Sequence, residues 1–275
     1  MNTLVALGIA LFLSACASPP TPAARRDIAD SVATGRGWQR LVVPADAFEL
    51  AVYVPTVQEP RAMLTVYIEG DGFAWVSPSQ PSSDPTPNHP VGLELALAHP
   101  RGNATYLARP CQYVVDAAAS GCGQRYWTQA RFAPEVIDAE NNALDALKVR
   151  FHAEQLTLVG YSGGGAVAAL LAARRSDVTR LITVAGNLDH AGWTRHHHVE
   201  PLTSSLNPAD MVNALKGIRQ WHFVGGMDRI IPPALVESFA ARFPDSHRPR
   251  VLVEPGYDHV CCWVQNWSRL MQQVR

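Results

Sequence analysis

Three residues in one order have the types needed for acyl transfer: Ser162, Asp228 and His259. Ser162 lies in Leu156-Thr-Leu-Val-Gly-Tyr-Ser-Gly-Gly-Gly165, an apolar run that leads through Gly160-Tyr161-Ser162-Gly163-Gly164 into the small-residue stretch 166–175. A G-x-S-x-G pattern between a strand and a helix is a sharp turn that presents a serine hydroxyl. A nucleophile held in a strained turn leaves no room for flanking Cβ atoms, which accounts for the glycines. The following helix directs its free N–H groups toward the serine, where negative charge develops during acyl transfer. The same residues also suit a plain glycine-rich turn with an incidental serine, so the partners decide.

A serine hydroxyl needs a base, an acid to orient that base, and donors for the oxyanion. Asp228, in Phe223-Val-Gly-Gly-Met-Asp-Arg-Ile-Ile-Pro232, falls beyond a strand end and before a helix. An acid there reaches a histidine from the sheet's C-terminal edge. Asp189, in Gly186-Asn-Leu-Asp-His190, follows the preceding strand and is the reserve acid. His259, in Pro255-Gly-Tyr-Asp-His-Val260, sits between the last strand and the last helix, a placement the other nine histidines lack. Asp258 adjoins it in sequence, but neighbouring side chains rarely face each other. His196, His197 and His198 form a run that reads as solvated loop rather than a metal site, because consecutive side chains diverge. Asp189 and His190 are placed to contact substrate from a cap.

The elements that must position these groups follow from periodicity and turn signals. Residues 41–43 and 48–54 read as strands around the Pro44-Ala45-Asp46 turn. Residues 63–69 form an apolar strand buried on both faces, which stops at Glu69-Gly70-Asp71-Gly72-Phe73-Ala74-Trp75. A Pro/Ser-rich loop covers 77–90, then a helix 91–99 and a strand 104–108. The irregular stretch 109–132 offers Tyr113, Tyr126 and Trp127 for packing. Pro134 opens a helix over 134–151, with Val136, Ile137, Ala143, Leu144 and Leu147 on its apolar face. Strands follow at 156–161, 181–185, 221–224 and 251–253, with helices at 233–243 and 263–274. Residues 186–217 are long enough for a small cap. The alternation predicts an α/β fold with a mostly parallel sheet covered by helices on both faces. No repeat or compositional break divides residues 34–275, which read as one domain.

The 275 residues are 47% hydrophobic, enough for a sizeable core, and carry a formal charge of −1. The only lysines are Lys148 and Lys216, and the arginines are scattered. Nothing indicates a nucleic-acid partner. At the N-terminus, residues 4–13 are apolar but too short to span a bilayer. They end in Leu13-Ser14-Ala15-Cys16, an export signal with a small-residue cleavage site. Cys16 there resembles the bacterial lipoprotein signal, which implies a lipidated cysteine as the mature N-terminus; an ordinary secretory signal is the alternative. Ala17, in place of Asp, implies an outer-membrane address. Residues 17–33, rich in Pro, Ala and Ser, read as a flexible tether. Four cysteines remain, an even number suited to an oxidising compartment. Cys111 and Cys122 share a loop and are the expected bridge. Cys261 and Cys262 pair with each other or cross-pair with the first two, and without a C-x-x-C spacing zinc is a weak reading.

Ser162, Asp228, His259 and the loop 69–73, in this order after these strands, resemble the α/β-hydrolase superfamily over about 40–275. The phrases Val66-Tyr-Ile-Glu-Gly-Asp-Gly72, Tyr106-Leu-Ala-Arg-Pro-Cys-Gln-Tyr113 and Ala185-Gly-Asn-Leu-Asp189 are similar to a group of uncharacterised bacterial envelope hydrolases. The superfamily resemblance implies acyl-enzyme hydrolysis with Ser162 as nucleophile, His259 as base and Asp228 as orienting acid. It implies an oxyanion hole from the N–H of Gly163 and one after the third strand. Glu69-Gly70 stands where His-Gly is usual, so the Asp71 amide is the second donor and Gly72 the alternative, with the Asp71 side chain turned away to cap 72–75. Tyr161, Phe73 and Trp75 are candidate substrate contacts, along with Trp193. The expected activity is carboxylic ester hydrolysis on a small ester or acyl substrate, without cofactor or metal. A serine peptidase or amidase, a perhydrolase using the same residues, and a non-catalytic lipid-anchored envelope binding protein are the other readings.

Overall fold

The computed structural model describes residues 19–274 apart from Pro60 and residues 116–119. The predicted signal segment, Cys16 and the first two tether residues lie outside the described residues. In chain order the elements are α1 (Pro22–Thr34), β1 (Trp38–Ala45), β2 (Phe48–Pro55), β3 (Met63–Ile68), β4 (Trp75–Ser77), β5 (Gln80–Pro81), α2 (Val91–Leu97), β6 (Asn103–Leu107), α3 (Pro134–Phe151), β7 (Gln155–Tyr161), α4 (Gly163–Ala172), β8 (Val178–Val184), α5 (His190–His197), α6 (Val212–Leu215), β9 (Arg219–Gly225), α7 (Pro233–Ala240), β10 (Arg250–Glu254) and α8 (Trp263–Met271).

Eight strands form one sheet in the order β1-β2-β6-β3-β7-β8-β9-β10. The pairs β1/β2 and β2/β6 are antiparallel and the remaining pairs parallel. The period-2 geometry of a strand sends alternate residues to opposite faces, and β3 shows the result. Leu64, Val66 and Ile68 join the core under α3, α4 and α7, whereas Tyr67 joins the core under α1, α2 and α8. Each fully buried Leu, Ile or Phe contributes about 1.5–3 kcal/mol, so two such cores fix which face each strand residue takes. From β3 the chain runs outward to β6 on one side and then returns to β7 on the other. Loops leaving β3 and β7 therefore diverge, opening a crevice at the strands' C-terminal ends.

The tether expectation is corrected from residue 22 onward. Thr21 caps α1 by accepting from the Ala24 N–H at 3.2 Å, and Pro22 sits at the first turn, where its missing N–H costs nothing. Arg25, Ala29 and Ala33, spaced by four, face inward. The Asp30 carboxylate accepts from Arg40 Nε at 3.0 Å and from the Tyr53 hydroxyl at 2.8 Å, tying α1 to the sheet. The folded unit thus begins near Pro22, not at residue 34. Two smaller corrections follow. Loop 77–90 contains part of the β4–β5 hairpin, and the histidine run mostly closes α5, with only His198 beyond the helix in a left-handed cap. Disulfides join Cys111 to Cys122, as expected, and Cys261 to Cys262.

Candidate active site

β7 ends at Tyr161, and the chain turns at Ser162 with φ 51° and ψ −120°. This conformation costs about 1–3 kcal/mol for a residue bearing a Cβ. The surroundings enforce it. A Cβ on Gly160 would lie 2.2 Å from the Gly164 carbonyl oxygen, and one on Gly164 would lie 2.3 Å from that of Ile68. Ser162 N–H donates to Val184 O at 3.0 Å and its carbonyl accepts from Gly165 and Asn187, so the turn is stitched to β8. α4 starts at the next residue and places its N-terminal, partially positive end beside the hydroxyl.

Ser162 Oγ lies 3.0 Å from His259 Nε2, and His259 Nδ1 lies 2.8 Å from Asp228 Oδ2. The Asp228 carboxylate is fully buried and its other oxygen accepts the Ile230 and Ile231 N–H groups, each at 2.8 Å. It has one oxygen locked and one left for the imidazole. The histidine loop is fixed through its own backbone. His259 O accepts from the Tyr161 hydroxyl and from Trp263 Nε1, both at 3.1 Å. Asp258 does not face the ring; its carboxylate accepts the Val260 and Cys261 N–H groups, which hold it below the usual carboxylate range.

Asp189 is elsewhere. Its carboxylate caps α5 by accepting from Gly192 N and binds Asn207 and Arg242, the last at 2.6 Å. Burial pushes this carboxyl up, but those partners outweigh it and the net shift is downward. His190 stacks on Phe132 at 6.0 Å. Neither residue lines the cleft above Ser162, which corrects the expectation that they contact substrate from the cap. From the 186–217 insertion only Trp193 does so, its indole donating to Ile230 O at 2.9 Å.

On the opposite side of the serine, the loop after β3 crosses the start of α4. No acceptor among the described residues is bonded to the Asp71 or Gly163 N–H, whereas Phe73 N–H is committed to Pro85 O at 3.0 Å. The Asp71 side chain does not cap 72–75. It pairs with Arg131 at 2.6 Å and with Arg109 at 3.4 Å. It also lies directly against Gly163, where a Cβ would be 2.0 Å from Asp71 Oδ1. Arg109 in turn bonds Glu140 at 2.8 Å and the Arg131 carbonyl. Two arginines and two carboxylates are paired around the loop, so the Asp71 charge beside Gly163 is not unopposed. The sequence offered no signal for this network, because Arg109 and Arg131 lie in the irregular stretch and meet Asp71 only in the fold.

Glu69 is the other residue whose role sequence reasoning missed. Its fully buried carboxyl accepts from Gly70 N at 2.9 Å, Gly92 N at 3.2 Å and the Tyr106 hydroxyl at 3.1 Å. It joins the loop after β3 to the start of α2. Burial pushes it up to about 7 against the pull of these donors.

A cleft of about 460 Å³ opens over Ser162 and His259, walled by Phe73, Trp75, Tyr161, Trp193, Ile230 and Val260. The sequence-nominated contacts Tyr161, Phe73, Trp75 and Trp193 all line it. A larger cavity of about 820 Å³ opens at the opposite, N-terminal edge of the sheet beside Met63 and Arg180. Its histidine, His99, is bonded to the Tyr67 hydroxyl at 2.8 Å, so chemistry rather than size selects the site. Among the described residues no three His, Cys, Asp or Glu side chains are grouped to hold a metal ion.

The fold, with Ser162, Asp228 and His259 each beyond the C-terminal end of a parallel strand, is the α/β-hydrolase fold, and solved structures agree. Est1E from Butyrivibrio proteoclasticus superposes with a TM-score of 0.59 at 13% identity, over 86% of this chain and 96% of that one. An esterase from Pyrococcus furiosus gives 0.58 at 13%, over 86% and 90%. A lidless α/β serine hydrolase from Xanthomonas campestris gives 0.52 at 13%, over 86% and 92%. No protein-family model matches the sequence, and no curated protein matches it.

Proposed function

We propose that this chain is a serine hydrolase of carboxylic esters. The single observation that carries the reading is the relay of 3.0 Å from Ser162 Oγ to His259 Nε2 and 2.8 Å from His259 Nδ1 to Asp228 Oδ2. In this reading His259 Nε2 takes the Ser162 proton as Oγ attacks the ester carbonyl carbon. The tetrahedral oxyanion accepts from the Asp71 and Gly163 N–H groups. Collapse breaks the bond to the alkoxide, which leaves with the proton held by His259. Water then attacks the acyl-enzyme, giving its proton to His259, and the acid departs from Ser162, which recovers its proton. Asp228 keeps Nδ1 protonated throughout and stabilises the imidazolium.

The apolar walls of the cleft favour an acyl or alkyl group over a peptide backbone, which would need polar partners along its length. An alkoxide also leaves more easily than an amine, and the site offers His259 as its proton donor. The esterase from Pyrococcus furiosus, of the same fold, accords with this choice. We further infer export and lipidation at Cys16, on the outer membrane facing the periplasm, from the signal pattern and the even number of remaining cysteines. A panel of nitrophenyl esters of rising chain length, run beside the matching anilides, tests the ester reading. Turnover of the esters with none of the anilides is expected; the opposite preference overturns it in favour of an amidase.

A further inference from the structure

The mouth of the cleft carries apolar groups that the fold leaves uncovered. Trp75 and Val76 on the β4–β5 hairpin, Met227 and Ile230 beside the orienting acid, and Val260 beside the histidine are each 39–63% exposed. Trp75, Ile230 and Val260 also line the cleft itself, so three separate loops bring apolar side chains to one opening. Arg229, exposed between Met227 and Ile230, adds a cation at the same margin. Exposed apolar groups gathered at one opening mark an interaction surface, and aromatic plus aliphatic groups beside an arginine suit a lipid headgroup–acyl boundary.

The start of α1 identifies the occupant. Arg25 is 4% exposed and its guanidinium lies 5.1 Å from the centre of the Phe73 ring, which walls the cleft. The same guanidinium bonds the Thr86 carbonyl and the Asp84 carboxylate, immediately before Pro87, Asn88 and His89, which line the cleft as well. The first turn of α1 is therefore clamped to the mouth. Cys16 precedes Pro22 by six residues, and a chain of that length spans at most about 20 Å. A lipid on Cys16 holds the bilayer surface within that reach of Pro22, in the helix turn clamped to the mouth.

We propose that the cleft mouth is docked on the lipid surface in which Cys16 is anchored, so that substrate esters enter from that surface. The proposal rests on the lipidation and on the acyl site inferred above. It explains why α1 is packed as a rigid helix against the mouth: a flexible chain would leave the domain free to turn, whereas six residues and a clamped helix fix which face meets the bilayer.

The test uses the full lipidated chain in phosphatidylethanolamine–phosphatidylglycerol vesicles with and without phosphatidylcholine brominated in its acyl chains. Trp75 is the most exposed of the seven indoles. Bromolipid is expected to quench the protein's tryptophan fluorescence, and Trp75→Phe to abolish most of that quenching. A chain that does not join the vesicles, shows no quenching, or quenches equally with Trp75→Phe overturns the proposal. Quenching needs no turnover, so its failure is distinct from failure of the esterase reading. As a second measurement, Val76→Asp with Met227→Asp is expected to lower hydrolysis of a vesicle-embedded long-chain ester about tenfold while a soluble acetate ester turns over as before. Equal hydrolysis of the embedded ester by variant and wild type also overturns the docked mouth.

Discussion

The two sides of Ser162 are built by different means. On the acid–base side most contacts are local to a loop that ends a strand: Asp228 is held by Ile230 and Ile231, two and three residues on, and His259 by Trp263, four residues on, together with the Tyr161 hydroxyl from the end of β7. On the oxyanion side the loop is held by partners tens of residues away: Arg131 and Arg109 on Asp71, and Gly92 and Tyr106 on Glu69. One side is positioned by backbone turns and the other by buried charge. The first tolerates changes outside its own few residues; the second depends on a balance that any of four side chains can upset.

The largest effect should come from the acid–base side. Asp228→Asn is expected to lower kcat about 10³–10⁴-fold, because an amide at that place stabilises the wrong tautomer of His259. Steady-state rates on a short ester measure it, and a loss smaller than tenfold would assign the orienting role elsewhere. On the oxyanion side, Arg131→Gln leaves the Asp71 carboxylate less opposed beside the developing negative charge. At a few ångströms in a partly buried site that is worth about 1.5–3 kcal/mol, or roughly ten- to a hundredfold in kcat. Asp71→Asn in the same chain should restore most of the loss, since it removes the charge while keeping the Asp71 N–H. Additive losses in that double variant would mean that Arg131 acts by shape rather than by charge.

Glu69 sharpens the contrast through pH. Its carboxyl, raised by burial from 4.5 to about 7, holds a proton in the folded chain between those values that the unfolded chain has released. The folded state is thus favoured below pH 4.5, and this advantage falls away as pH rises to 7, by at most ~3 kcal/mol. Glu69→Gln retains an acceptor for Gly70 and Gly92 and cannot ionise. Relative to this variant, the wild-type melting temperature should drop as pH rises from 4.5 to 7; parallel curves would contradict the buried acid. The smallest expected effect is at Asp189. Asp189→Asn breaks the Arg242 ion pair and lowers the melting temperature, yet leaves kcat/KM unchanged, because that carboxylate does not reach the imidazole.

Local signals made the first side legible in sequence. Gly160 through Gly164 encode the turn, and Asp228 and His259 each follow a short apolar run whose strand character shows in its own residues. The order of those strands in the sheet then brings the three side chains together. The second side was hidden, because nothing within a window around Arg109 or Arg131 indicates that the chain folds back onto Asp71. The sequence placed the Asp71 side chain in the wrong local turn for the same reason: the competing arginines were invisible. α1 escaped for a different cause. Its inward face is Arg25, Ala29 and Ala33, small or charged residues that give almost no amphipathic contrast, and prolines before it lend a linker's composition.

The relay at Ser162 is tested most directly by a fluorophosphonate probe, which reacts only with an activated serine. The folded, oxidised wild-type chain is expected to be labelled on one serine, with labelling lost in Ser162→Ala and strongly slowed in His259→Ala. Absence of labelling in the wild type, or persistence of labelling in Ser162→Ala, would contradict the account.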